Sequence, residues 1–180
     1  MNELSLNILD IANNSTAAGA SLVEITLCEK NDFMEITITD NGRGMTKEFA
    51  ARVTDPFSTS RKTRPVGLGL PFFKAGAEQT GGSFKLESVL GKGTTVYAKF
   101  NAASIDCAPL GDICATICTL IGGAPETDFV FSHKTEKGSV NFDTRELRTA
   151  LGEDISLAES EVIMWIRDNL TEEYNSLKET

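Results

Sequence analysis

A chain of 180 residues with 17 basic and 26 acidic side chains carries a formal charge of −9 and has the size of one domain, or of a domain with an added lobe. The acidic balance opposes general binding to nucleic-acid phosphates. No apolar run approaches the ~20 residues of a membrane span, and the first residues lack the basic-then-apolar order of a signal peptide, so no membrane span and a cytoplasmic location are the expectation.

Leu6, Ile8, Leu9 and Ile11 give residues 4–18 an apolar helical face, and Gly19 offers a stop. Alternation over 22–28 and 33–39, separated by Lys30-Asn31-Asp32, predicts an antiparallel hairpin. Asp40-Asn41-Gly42-Arg43-Gly44-Met45 is a tight glycine-rich corner, followed by a polar, irregular stretch over 46–66. A second glycine corner, Gly67-Leu68-Gly69-Leu70, opens a helix expected over 71–80, and Gly81-Gly82 ends it. Strands are expected at 83–88 and 94–100. Beyond residue 101 the composition shifts. A helix over 109–121, short strands at 129–131 and 140–142, and helices behind Asp143 and Ser156-Leu157-Ala158-Glu159 are expected, with residues 172–180 fraying. The expected organisation is two units, 1–101 and a small α+β C-terminal lobe over 102–180.

Several of these pieces suit a nucleoside triphosphate. A carboxylate at a strand end accepts a hydrogen bond from an adenine amino group. Glycines let the backbone approach a flat base or a phosphate closely. A glycine-rich helix start offers free N–H groups and a positive dipole end to phosphate oxygens. Asp10 and Asn14, spaced i and i+4, share one helix face. An asparagine can supply one oxygen to Mg²⁺, and a carboxylate one turn away can orient a water for attack. Between Arg43 and Lys74 the sequence has seven basic residues against Glu48 and Asp55, a local reversal of sign that favours a phosphate.

Over about residues 4–101 the order of these pieces resembles the GHKL (Bergerat-fold) ATPase superfamily, which unites histidine kinases, type II topoisomerases, mismatch-repair ATPases and a heat-shock chaperone. Asp10-Ile11-Ala12-Asn13-Asn14-Ser15 resembles its N box, and Asp40 to Met45 its D-x-G-x-G-M box. Asp55-Pro56-Phe57-Ser58-Thr59-Ser60-Arg61 resembles the E-P-F-F-T-T-K stretch of histidine kinases, and Gly67 to Leu70 their G-L-G-L box. Gly82-Ser83, Glu87-Ser88 and Gly91-Lys92-Gly93-Thr94-Thr95 match the closing region.

The resemblance implies an α/β (α+β) two-layer sandwich, with a mixed, largely antiparallel sheet and helices on one face. It implies ATP and Mg²⁺ as ligands. Asn14 would bind Mg²⁺ and Asp40 the adenine amino group, with Thr94 helping through a water. Gly42 belongs to the same box, and Gly44 and Met45 would border the base. Thr59, Ser60, Arg61, Gly67, Leu68, Gly69 and Leu70 would form a lid over the phosphates. Asp10 is the candidate base, standing where hydrolysing members carry glutamate and many histidine kinases asparagine. Ala17 replaces an aspartate of the topoisomerase type, while Ser58 and Arg61 replace a phenylalanine and a lysine.

A helical dimerisation segment with a phosphoacceptor histidine is not expected ahead of Leu4, and His133, the sole histidine, reads as a strand-end polar residue. Cys114 and Cys118, spaced i and i+4, read as small buried residues of a helix face rather than as a metal pair. The expected activity is that of an ATPase or kinase domain toward a separate partner protein. The alternative is a nucleotide-gated binding module with little turnover.

Overall fold

The computed structural model describes residues 3–55, 57 and 68–180. The elements, in chain order, are α1 (Leu4–Ala17), β1 (Leu22–Lys30), β2 (Phe33–Asp40), α2 (Lys47–Val53), α3 (Gly69–Gln79), β3 (Ser83–Val89), β4 (Gly93–Asn101), α4 (Ile113–Gly123), β5 (Asp128–Thr135), β6 (Gly138–Asp143), α5 (Thr144–Leu151) and α6 (Ser160–Glu179).

The strands form one sheet in the order β3-β4-β2-β1-β5-β6. Only β1 and β5 pair in parallel, with Leu22 opposite Asp128; the other neighbours are antiparallel. The fold is therefore the expected α/β sandwich with a mixed, largely antiparallel sheet. The alternation read from the sequence sets its buried face. Val23, Ile25 and Leu27 of β1, Met34, Ile36 and Ile38 of β2, and Val96, Ala98 and Phe100 of β4 are all buried. Phe129 and Phe131 of β5 continue that face. The helices α3, α1, α4 and α6 pack side by side across the core. Residues 102–180 thus add two strands to the edge of the same sheet and extend its helical layer.

Asn31 and Asp32, at φ of 51° and 63°, form the two-residue turn that joins β1 to β2. Left-handed backbone at both positions matches the twist of the flanking strands.

Four of the differences from the sequence reading have a clear physical reason. The stretch expected to be irregular after residue 46 contains α2, whose N-terminus is capped by Thr46 accepting from the Phe49 N–H. Helix α4 begins at Ile113 rather than at 109, because the Pro109 and Leu110 carbonyls accept from the Leu4 and Ser5 N–H groups and so cap α1. Ser156 does not cap α6: its hydroxyl accepts from the Ala158 N–H, and the helix starts at Ser160 with Glu159 as its cap residue. Helix α6 also continues through 172–179, since Tyr174 and Leu177 pack on the core and hold its last turns. No helix among the described residues is long and apolar enough to cross a membrane.

Candidate functional site

The candidate site is built where the C-terminal end of β2 meets α1. Asp40, the last residue of β2, is fixed from two sides. Ser15 Oγ, on α1, donates to Asp40 Oδ2 at 2.6 Å, and the Gly42 N–H donates to Oδ1 at 2.8 Å. The loop after Asp40 is anchored in turn. Asn41 Oδ1 accepts from the Ser21 and Leu22 N–H groups, and its Nδ2 donates to Ser21 Oγ. The Arg43 N–H reaches the Ala18 carbonyl, while the Arg43 carbonyl accepts from Gly91 at the β3–β4 turn. Gly44 lies at φ +68°, and a Cβ there would run into the Val89 carbonyl, so only glycine lets this corner sit against that turn.

The opposite wall comes from β3 and β4. Thr94 faces Asp40 in the β2–β4 register. Ser88 Oγ accepts from the Met45 N–H at 2.8 Å, donates to the Gly93 carbonyl at 3.1 Å and lies 2.8 Å from Thr94 Oγ1.

These groups enclose a cavity of about 410 Å³. Ile11, Met45, Phe49, Leu70, Leu90 and Val96 supply apolar walls, and Asn14, Ser15, Asp40, Arg43 and Thr94 supply polar points. Apolar walls with one carboxylate among them suit a flat heteroaromatic base carrying an amino group. Asn14 also carries a mark of incompleteness. Its Nδ2 is buried and has no hydrogen-bond partner among the described residues, a state native side chains rarely keep unless a ligand or water completes it.

Asp10 lies one helical turn before Asn14, outside the cavity lining. It is half-buried and has neither hydrogen bond nor ion pair among the described residues. Its carboxylate packs against Gly69, the first residue of α3, where any side chain would collide with it. It thereby faces the positive end of that helix. Helix α3 starts two residues earlier than expected, with Pro71 inside its first turn.

The structure thus brings together Asn14, Asp40, Gly44, Met45, Leu70 and Thr94 around one cavity, with Gly42 bonded to the Asp40 carboxylate and Asp10 and Gly69 beside it. Leu68 is the N-cap residue of α3 and is partly exposed. Thr59, Ser60, Arg61 and Gly67 lie outside the described residues. Sequence reasoning missed Ser15, Ser88, Phe49 and Leu90 as site residues. Ser15 and Ser88 sat inside quoted motifs, but the role of Ser15 depends on how α1 packs on β2 and that of Ser88 on the β3–β4 register. Phe49 and Val53, spaced i and i+4, were the available signal for α2.

Two other readings resolve outside the site. His133 is not at a strand end but on the core-facing row of β5, 2% exposed, with both ring nitrogens engaged. Cys118 is buried and Cys114 half-buried on α4, and burial pushes the Cys118 thiol up to about 11, which keeps it protonated. Among the described residues no three His, Cys, Asp or Glu side chains cluster as a metal cage.

Comparison with known proteins points the same way. The family model described as histidine kinase-, DNA gyrase B-, and HSP90-like ATPase matches residues 1–104, more than half of the chain. The sensor protein SrrB of Staphylococcus aureus is 35% identical over 105 residues, covering 55% of this chain and 18% of that protein. A candidate NtrY-like sensor histidine kinase of Rickettsia conorii is 27% identical over 107 residues, 59% of this chain and 18% of its own length. The chain spans about a fifth of the length of these curated relatives.

Proposed function

We propose, from the premise that the chain belongs to the histidine kinase-, DNA gyrase B-, and HSP90-like ATPase family, that it binds Mg-ATP and hydrolyses it or passes its γ-phosphate to a separate partner protein. Membership of that family implies ATP binding; the metal, the turnover and the partner are the proposal.

The observation that carries it is Asp40: a carboxylate locked by Ser15 and the Gly42 N–H in the lining of an apolar-walled cavity. Held this way, it accepts from an adenine amino group while Met45, Ile11 and Val96 cover the ring. The phosphates then extend along α1 toward Asn14 and the start of α3, where free N–H groups and the helix dipole favour negative charge. Asn14 fits an ion site through its Oδ1, an oxygen of the kind Mg²⁺ takes beside phosphate and water, while its buried Nδ2, without a partner among the described residues, would donate to a phosphate oxygen. When bound there, the ion would neutralise charge on the phosphates. Asp10, without a hydrogen bond or ion pair among the described residues and one turn from Asn14, is the candidate to accept the proton of an attacking water. Positioning and charge stabilisation do most of the work in such transfers. Gly69 lets the Asp10 carboxylate lie against α3, so the base and the phosphate-binding helix keep a common frame.

Phosphate release from γ-labelled ATP with Mg²⁺ tests the reading. Steady release is expected, falling by about 10²-fold or more in Asp10→Asn while ATP still binds. Unchanged release in Asp10→Asn removes Asp10 from the mechanism. ATP bound without release by the chain alone moves the assignment to transfer onto a partner or to a nucleotide-gated switch.

A further inference from the structure

Helix α6 lies beyond residue 104, where the family match ends. Its inner face is committed to the fold. Val162, Ile166 and Leu170 are buried, and Tyr174 and Leu177 pack on the core. The outer face has a different pattern. At about 100° per residue, Glu161, Trp165, Asp168, Glu172, Asn175 and Glu179 fall on one stripe, in alternating steps of four and three residues. All six are exposed, and Met164 lies beside the stripe. Trp165 is 52% exposed and Met164 64%.

The charges on this stripe all have one sign. The side chains of Glu161, Asp168, Glu172 and Glu179 make no hydrogen bond or ion pair among the described residues. The cations of the helix stand elsewhere. Arg167 is turned to Asp112, the N-cap residue of α4, at 3.0 Å, and Lys178 shares a cavity with Asn31 and Asp32 of the β1–β2 turn. Asp168 and Glu172, spaced i and i+4, repel one another, and Glu172 and Glu179 stand towards the negative end of the helix dipole. The stripe is therefore a line of unneutralised negative charge with an aromatic and a thioether side chain set in it. Large side chains such as Trp and Met form the centres of protein interfaces, and charged residues form their rims.

The uniform sign sorts the occupants. A second copy of the chain would set the same charges against one another, and nucleic acid or an anionic membrane would be repelled. Steps of four and three residues are the spacing along which a second helix packs. We propose that the outer face of α6 docks a basic amphipathic helix of a partner protein. Its apolar seam covers Trp165 and Met164, and its lysines or arginines pair with Glu161, Asp168 and Glu172. The assignment is independent of the nucleotide reading, since none of these residues lines the cavity around Asp40.

Trp165 is the sole tryptophan, so its emission reports on this face alone. The probe is the tryptophan-free peptide LKKLLKLLKKLLKL, and LEELLELLEELLEL has the same apolar pattern with the charge reversed. Added to the full chain in roughly 0.1 M salt, the lysine peptide should shift the emission to the blue saturably, with a Kd of about 10 μM or tighter. The glutamate peptide should give no shift. Asp168→Lys combined with Glu172→Lys should weaken binding about tenfold or more. The charge-matched pair Glu78→Lys and Glu136→Lys, exposed on α3 and at the β5–β6 turn, should change it by less than about threefold. An unmoved emission, equal binding of the glutamate peptide, or equal weakening by the two charge pairs overturns the proposal, the last by reducing the attraction to net charge. A blue shift on concentrating the chain without peptide gives the face to a second copy and also overturns it. The peptide comparison uses the unmutated chain and stands whatever the variants do.

Discussion

At one end of the β1–β2 hairpin, Asn14 Nδ2 is buried without a partner and Asp10 has no hydrogen bond or ion pair among the described residues. At the other end, His133 is just as buried, yet both ring nitrogens are bonded and the carboxylate beside it is engaged. Folding normally leaves no buried polar group unsatisfied, because each costs about 1–3 kcal/mol. The first end breaks that rule with one buried donor, Asn14 Nδ2, one helical turn from the half-buried Asp10 carboxylate. The second end obeys the rule within its own relay.

The largest break in this contrast is expected from Asp40→Ala. It should weaken ATP binding about ten- to a hundredfold, the worth of a charge-assisted hydrogen bond of roughly 1.5–3 kcal/mol. Calorimetric titration with ATP measures it, and wild-type affinity would displace the base from this carboxylate. The variant leaves the second end of the sheet untouched.

A smaller effect, of opposite location, is expected from His133→Phe. Tyr174 and Glu29 each lose a buried partner, so stability to urea should fall by about 1–3 kcal/mol with ATP affinity unchanged. The pH dependence sharpens this. Burial lowers the folded-state pKa of His133 from 6.5. Below that value the unfolded chain binds a proton that the folded chain refuses. The contribution is therefore present above 6.5 and is lost as pH falls through the lower folded value. Urea midpoints from pH 7.5 down to 5 should fall less steeply in His133→Phe than in the wild type; parallel curves would mean that the buried ring does not titrate in this window.

The smallest effect belongs to Ser15→Ala. Asp40 keeps its bond from the Gly42 N–H but loses the one from Ser15. ATP affinity should drop only about fivefold, for a single bond of about 1 kcal/mol. A loss as large as that of Asp40→Ala would mean that Ser15, rather than Asp40, makes the decisive contact.

Much of the fold could be read in the residues because the signals were local. Period-two alternation marked the buried rows of β1, β2 and β4, and glycine corners marked the ends of α1 and α3. The short helix α2 escaped because seven residues between polar neighbours carry little periodicity. The true start of α4 escaped because Pro109 and Leu110 are committed to capping α1, a partner a hundred residues away in sequence.

The site divides in the same way. The sequence alone marked the residues proposed for the chemistry: Asp40 at a strand end, Asn14 and Asp10 one turn apart, and the glycine corners at 44 and 69. Only the tertiary structure decided that Ser15 and Ser88 hold those residues in place, and that β5 lies parallel to β1 and carries His133 into the core beside Tyr174. The reason is range. Propensity, alternation and helical spacing act over a few residues, whereas strand order and side-chain partnership depend on which distant surfaces bury each other best.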